Sequence, residues 1–322
     1  MASRPNLGTL FGSRETRTFL GIDACDDLGQ LNSPIALIGA PCATPYRSVG
    51  AYCANGPKAI RQGMAAFAAN RENHDFDCGG AIFPDPTLAA VDCGDLDYAE
   101  ADAETNRKTI REAISTILQK QAIPIVLGGD DSVPIPMLEA FSGRGTFAIL
   151  QLDAHVDWRN SYDGERYGLS STMRRASEMD HIDSIVQVGQ RGIGSARPQD
   201  LEDAKSWGAK FFSARDVHKG GVDLALQHIP KDADVIICLD CDGLDPSIMP
   251  GVIGRAPGGL WYWQIVDLLE GVASKARIAG MALVEFMPER DLDDIGALTA
   301  GRIVATAMGL IARQSQAHAD KF

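Results

Sequence analysis

The chain has 322 residues, 45% hydrophobic and 23% charged, which suits one large domain or two ordinary ones and argues against disorder over most of its length. Lys plus Arg total 30 against 43 for Asp plus Glu, a formal charge of −13 that argues against nucleic acid as the main partner, since phosphate binding needs a basic face. No apolar run approaches the ~20 residues of a membrane-spanning helix, and the opening MASRPNLGTLFGSRE has no apolar signal core, so a cytoplasmic protein without a membrane partner is expected.

The seven cysteines are scattered and odd in number, and read as reduced, mostly buried thiols. There is no internal repeat, low-complexity tract or long linker, so a single domain is expected over 1–322, with 1–30 as an N-terminal extension. In chain order, the apolar runs 34–40, 88–95, 122–130, 146–155, 184–190, 234–242 and 278–286 read as buried strands, and KFFSA near Lys210 as a weaker eighth. Most are apolar throughout, as strands covered on both faces are. Helical spacing lies between them: Ile110, Ile114, Ile117 and Leu118 share one face over 99–121. Similar spacing runs over 261–274 and 299–314. Strand alternating with helix predicts an α/β fold with a mostly parallel sheet, whose ligand site lies beyond the carboxyl ends of the strands.

Those ends are acidic. The run from Thr146 finishes in Asp153-Ala154-His155-Val156-Asp157, and the run from Asp234 in Asp240-Cys241-Asp242. Gly128-Gly129-Asp130-Asp131 and Glu285 end two more. In extended chain, alternate residues share a face, so Asp153, His155 and Asp157 can converge, as can Asp240 and Asp242. An Asp after a strand commonly caps the next helix. Two such clusters plus a Gly-Gly-Asp turn exceed what capping needs, and so many carboxylates repel one another unless cations compensate them. Oxygen-rich donors with one imidazole suit hard or borderline divalent ions.

This combination resembles the ureohydrolase superfamily of arginases, agmatinases and other guanidino-hydrolases over nearly the whole chain. Its marks are Gly39-Ala40-Pro41, Gly56-Pro57-Lys58, Asp92-Cys93-Gly94-Asp95, Gly128-Gly129-Asp130, the DAHVD segment, Asp240 to Pro246, and Glu285-Phe286-Met287-Pro288. The resemblance implies a three-layer αβα sandwich around an approximately eight-stranded parallel sheet, with trimeric or hexameric assembly. It also implies two divalent metal ions per subunit, Mn²⁺ first and Ni²⁺ as the alternative. Asp153 and Asp240 would bridge them. Asp157 would complete one shell, and His155 with Asp242 the other. Asp157 would also carry the proton to the leaving nitrogen, and Glu285 would orient a small cationic guanidino substrate. Trp158 and Arg159, next to the metal cluster, are candidates for lining the pocket. Tyr46, Tyr52 and the stretch 161–171 are candidates for its rim.

Two departures stand out. The family usually has His after Gly-Gly-Asp; here Asp131 stands there, either as a ligand or behind one. The family's His-Gly pair after DAHxD is missing, the region reading Tyr167-Gly168-Leu169-Ser170. His74, His181, His218, His228 and His318 have no ligand-like spacing. The expected activity is metal-dependent hydrolysis of a guanidino C–N bond. The candidate substrates are agmatine, a guanidino acid, guanidine, or an alkylated guanidine or biguanide. The alternative is a non-catalytic subunit that assembles with an active paralogue. A deacetylase related in fold is a third reading, which Asp240 to Pro246 and Glu285 fit less well.

Overall fold

The computed structural model describes residues 7–12 and 16–319, with side chains as far as residue 315 in the last helix. Residues 1–6 and 13–15 of the expected extension, and the side chain of His318, lie outside the described residues. Nine strands among those described form one sheet: β1 (Asp23–Ala24), β2 (Ile35–Ala40), β3 (Ala90–Asp95), β4 (Ile123–Gly128), β5 (Phe147–Leu152), β6 (Ile182–Val188), β7 (Lys210–Phe212), β8 (Asp234–Asp240) and β9 (Arg277–Val284). All pairings are parallel, in the order β1-β3-β2-β4-β9-β8-β5-β6-β7. Eight correspond to the apolar runs. The ninth, β1, is a two-residue edge strand too short to show a period, beside buried Phe19, Leu20 and Ile22. The Phe19 amide donates to the Asp92 carboxylate at 2.8 Å, which binds this stretch to the sheet.

Side-chain alternation along the strands divides the core into two layers. Leu37, Ile125, Leu150, Ile237 and Met281 face one side. There the helices Gly56–Ala65, Tyr262–Lys275 and Ile295–Ala319 contribute Ile60, Ile265 and Ile303. Ile38, Val126, Ile149, Ile236 and Ala282 face the other, against Ile110 and Ile114 of Ala103–Gln119 and Met137 of Pro134–Glu139. The result is a three-layer αβα sandwich.

Helix boundaries follow local chemistry more than periodicity. The helix expected from residue 99 begins at Ala103, because the Asp102 carboxylate accepts from the Thr105 amide at 3.0 Å. The last helix starts before residue 299, because Asp291 accepts from the amides of Gly296 (2.9 Å) and Ala297 (3.0 Å). Its stretch Ile295–Ser315 is long and apolar enough to cross a membrane, yet 78% of its most apolar window is buried inside the protein. Core packing accounts for that composition.

Arg61 joins the helix Gly56–Ala65 to β3. Its guanidinium donates to Asp92 at 2.8 and 2.9 Å and to Asp95 at 2.5 Å, with Arg61 and Asp92 both buried. Four strands, β4, β9, β8 and β5, lie side by side at the centre of the sheet. They are the four whose ends carry the candidate site residues.

Candidate metal centre

Each carboxylate is aimed by a turn just past its strand. β5 ends at Leu152, so Asp153 to Asp157 do not continue as extended chain, and alternation does not place them. Instead the Asp153 carboxylate accepts from the His155 amide at 2.6 Å, and Asp157 takes a left-handed φ of +47°. β8 ends at Asp240, whose carboxylate accepts from the Asp242 amide at 2.7 Å in a tight 3₁₀ turn, Cys241–Gly243. Two glycines let the main chain close around Asp153. A β-carbon on Gly243 would lie 2.8 Å from the Asp153 amide nitrogen, and one on Gly189 2.8 Å from its carbonyl oxygen. Beside β4, Gly129 passes so close to the Pro41 carbonyl that no side chain fits there.

These turns assemble two donor groups, Asp153 with His155 and Asp242, and Asp131 with Asp153 and Asp240. Within each, one donor atom per residue lies within 4.8 Å of the others. Asp153 belongs to both. Asp131 occupies a donor position, and its buried Oδ2 has no hydrogen-bond partner. Asp157 falls outside both groups; its Oδ2 accepts from Gln151 Nε2 at 2.8 Å, and the same nitrogen donates to Asp153 at 2.7 Å. Gln151 is itself oriented by a hydrogen bond from Gln187, its register partner on β6.

Burial, then mutual repulsion, drives Asp131, Asp157 and Asp240 well above the ordinary carboxylate range, and Asp153 is raised too. Burial also pushes Asp242 upward, but the hydrogen bond and charge of His155 and the Ala154 amide together outweigh it and leave Asp242 below its usual value. Burial opposes charge on His155, yet its hydrogen bonds to Asp153 and Asp242 push it up to about 12. The His155 Nδ1 lies 3.1 Å from Asp242 and 3.5 Å from Asp153. A buried set of oxygens with one imidazole, an orphaned acceptor and strong mutual repulsion fits divalent cations.

Glu285 closes the floor from the end of β9. Its φ of +65° is left-handed, strain of the kind that gathers at functional sites. Tyr52 donates to its two oxygens at 2.7 and 2.6 Å, and the Asp131 amide donates at 2.8 Å. Burial nevertheless pushes Glu285 up to about 8 against an ordinary 4.5. Above the floor opens a cavity of about 470 Å³ bordered by Tyr46, Val49, Arg159, Tyr162 and Ile253. Trp158 also borders it, but its ring is 2% exposed and packs against Trp207, 5.9 Å between centroids. It is therefore a supporting wall and offers a ligand little surface. The other histidines lie elsewhere: His181 bonds the Leu138 carbonyl, His218 the Gly259 carbonyl, and His74 and His228 pack on Phe76 and Phe212.

The profile of the arginase family matches residues 33–309. The chain belongs to the arginase family. It is accordingly a ureohydrolase, a hydrolase of C–N bonds in guanidino compounds. The N(1)-aminopropylagmatine ureohydrolase of Thermus thermophilus is 36% identical over 211 residues, covering 65% of this chain and 69% of that one. The formimidoylglutamase of Halalkalibacterium halodurans is 30% identical over 279 residues, 83% and 84% of the two chains. Among solved structures, the proclavaminate amidino hydrolase of Streptomyces clavuligerus superposes with a TM-score of 0.79 at 26% identity, over 94% of this chain and 99% of that one.

Two site residues of this arginase-family chain escape a reading of carboxylates alone. Gln151 is one, although an amide within an all-apolar strand, opposite a second buried Gln, is a visible signal. Arg191 is the other. Its guanidinium donates to the carbonyls of Gly189, Asp242, Gly243, Leu244 and Ala256, fastening the turn that carries Asp242. Where the family has its His-Gly pair, Ser170 Oγ and the Tyr46 hydroxyl share a hydrogen bond of 2.6 Å.

Proposed function

We propose that this arginase-family enzyme binds two divalent cations, Mn²⁺ first and Ni²⁺ as the alternative, and hydrolyses a small guanidino compound. The candidates are agmatine, a guanidino acid, guanidine, and an alkylated guanidine or biguanide. The observation that carries the reading is that Asp153 belongs to both donor groups. Asp153, His155 and Asp242 would hold one ion; Asp131, Asp153 and Asp240 the other. When bound, such ions supply an activated water near neutral pH. In the net reaction, water adds to the guanidinium carbon, one C–N bond breaks, and urea or a substituted urea leaves with an amine.

The chain's own residues position the substrate and manage the proton. Glu285 faces the cationic guanidinium with a carboxylate that matches its planar donors, and Tyr52 fixes that carboxylate's plane. The leaving nitrogen must be protonated, because an amide anion is too basic to depart. Asp157 is suited to deliver that proton. It is buried beside Asp153, and Gln151 holds its Oδ2 in place.

The test is metal content together with urea release after growth with manganese or nickel. The expected result is close to two ions per chain, with Asp153→Asn losing both ions and all turnover while its circular dichroism is unchanged. Well under one ion per chain would favour the non-catalytic subunit. Full activity in Asp153→Asn would overturn the bridging assignment.

A further inference from the structure

Beyond the metal floor, the cavity mouth sorts side chains by charge. Val49, Tyr162 and Ile253 are 41, 44 and 38% exposed, and all three face this cavity. Exposed apolar side chains converging on one concave surface mark a ligand-contact wall. Two cations stand among them. Arg197 is neutralised by Asp200, which it binds through Nε and Nη2 at 2.7 Å each. The Arg159 guanidinium lies 5.2 Å from the Tyr162 ring centre, and no carboxylate among the described residues forms an ion pair with it. Tyr162 in turn packs on Tyr46, 4.8 Å between centroids.

A substrate tail leaving the floor therefore meets an apolar-aromatic wall and one positive charge. A terminal ammonium would lose water there, and Asp200, the one carboxylate that lines the cavity outside the floor among the described residues, is already held by Arg197. A terminal carboxylate would find one guanidinium already stacked on a ring, and the second donor it needs for a paired grip is held by Asp200. An uncharged hydrocarbon tail loses nothing and covers the three exposed side chains.

We infer that the mouth formed by Val49, Tyr162 and Ile253 is a subsite for an uncharged, apolar substituent on the guanidino group, and that Arg159 turns away substrates bearing a second positive charge. The inference rests on the guanidino-hydrolase reading above and narrows its substrate class to N-alkyl guanidines.

Three four-carbon compounds test it: n-butylguanidine, agmatine, which adds a terminal amine, and 4-guanidinobutyrate, which adds a terminal carboxylate. Urea release is followed with the manganese- and nickel-loaded enzyme. The expected kcat/KM for butylguanidine exceeds that of each charged analogue by about tenfold or more. Ile253→Glu should shift the agmatine-to-butylguanidine ratio toward agmatine by about tenfold, and Val49→Glu is the second variant should the first fold poorly. Preference of the unmodified enzyme for agmatine overturns the inference, and so does preference for 4-guanidinobutyrate; either leaves the hydrolase reading intact. No urea or substituted urea from any of the three, nor from guanidine, methylguanidine or biguanide, with either metal, overturns the hydrolase reading and the inference together.

Discussion

Tyr52 and Gln151 act through other side chains. Without the Tyr52 hydroxyl, Glu285 keeps only the Asp131 amide as a donor, and burial raises its proton affinity further. Hydrogen bonds to a charged group contribute about 1.5–3 kcal/mol, so Tyr52→Phe should lower kcat/KM by about tenfold or more. It should also move the acidic limb of the pH–rate profile upward, since Tyr52 holds the Glu285 value down. An unchanged profile would mean that Glu285 does not act ionised. Gln151→Leu frees Asp153 and Asp157 from their common donor while keeping the volume of the strand interior. Loss of such an outer partner typically costs about 10–100-fold in metal affinity, which calorimetric titration with Mn²⁺ would measure. Affinity equal to the parent would show that the Asp153 carboxylate needs no such support.

At the scale of elements, the helix Gly56–Ala65 is tied to β3 by the buried Arg61–Asp92 pair. Removing one partner of a buried pair strands the other, so Arg61→Ala should destabilise the protein by about 3–5 kcal/mol in urea unfolding. A loss below ~1 kcal/mol would mean that water replaces the guanidinium. Most elements were legible in the sequence, because strands covered on both faces must be apolar throughout and their ends must carry whatever is polar. β1 was not, since two residues show no period. Nor was the path of Asp153 to Asp157: alternation holds only while the chain is extended, and here a carboxylate-to-amide turn ends β5 first. The acidic residues themselves were readable; alternation along the strands could not give their grouping. Gln151 was passed over because a lone amide inside an apolar run looks like an interruption until its partner Gln187 is seen opposite it.

For the whole molecule, the centre couples stability to protons and metal. Asp131, Asp157 and Asp240 have raised proton affinities in the folded chain, and Glu285 sits at about 8. Unfolding returns each to the ordinary range. Between the two values the folded state holds more protons than the unfolded, so stability is present at lower pH and is lost as pH rises through the folded values. His155, raised to about 12, acts in the same direction. Chelator-stripped protein should therefore melt at a lower temperature at about pH 8.5 than at about pH 6, and added Mn²⁺ should flatten that slope by replacing the protons. A melting temperature that climbs with pH in the stripped protein would show that the carboxylates do not burden the fold.

The glycine-lined path around Asp153 has a further consequence. With bare peptide against its nitrogen on one side and its oxygen on the other, that Cα has almost no room to drift. The backbone position from which the shared donor Asp153 reaches both sets is thus fixed by the scaffold. Loops around the entrance can diverge and take new cargo without recalibrating it, whereas a single methyl at position 243 should disturb both sets at once.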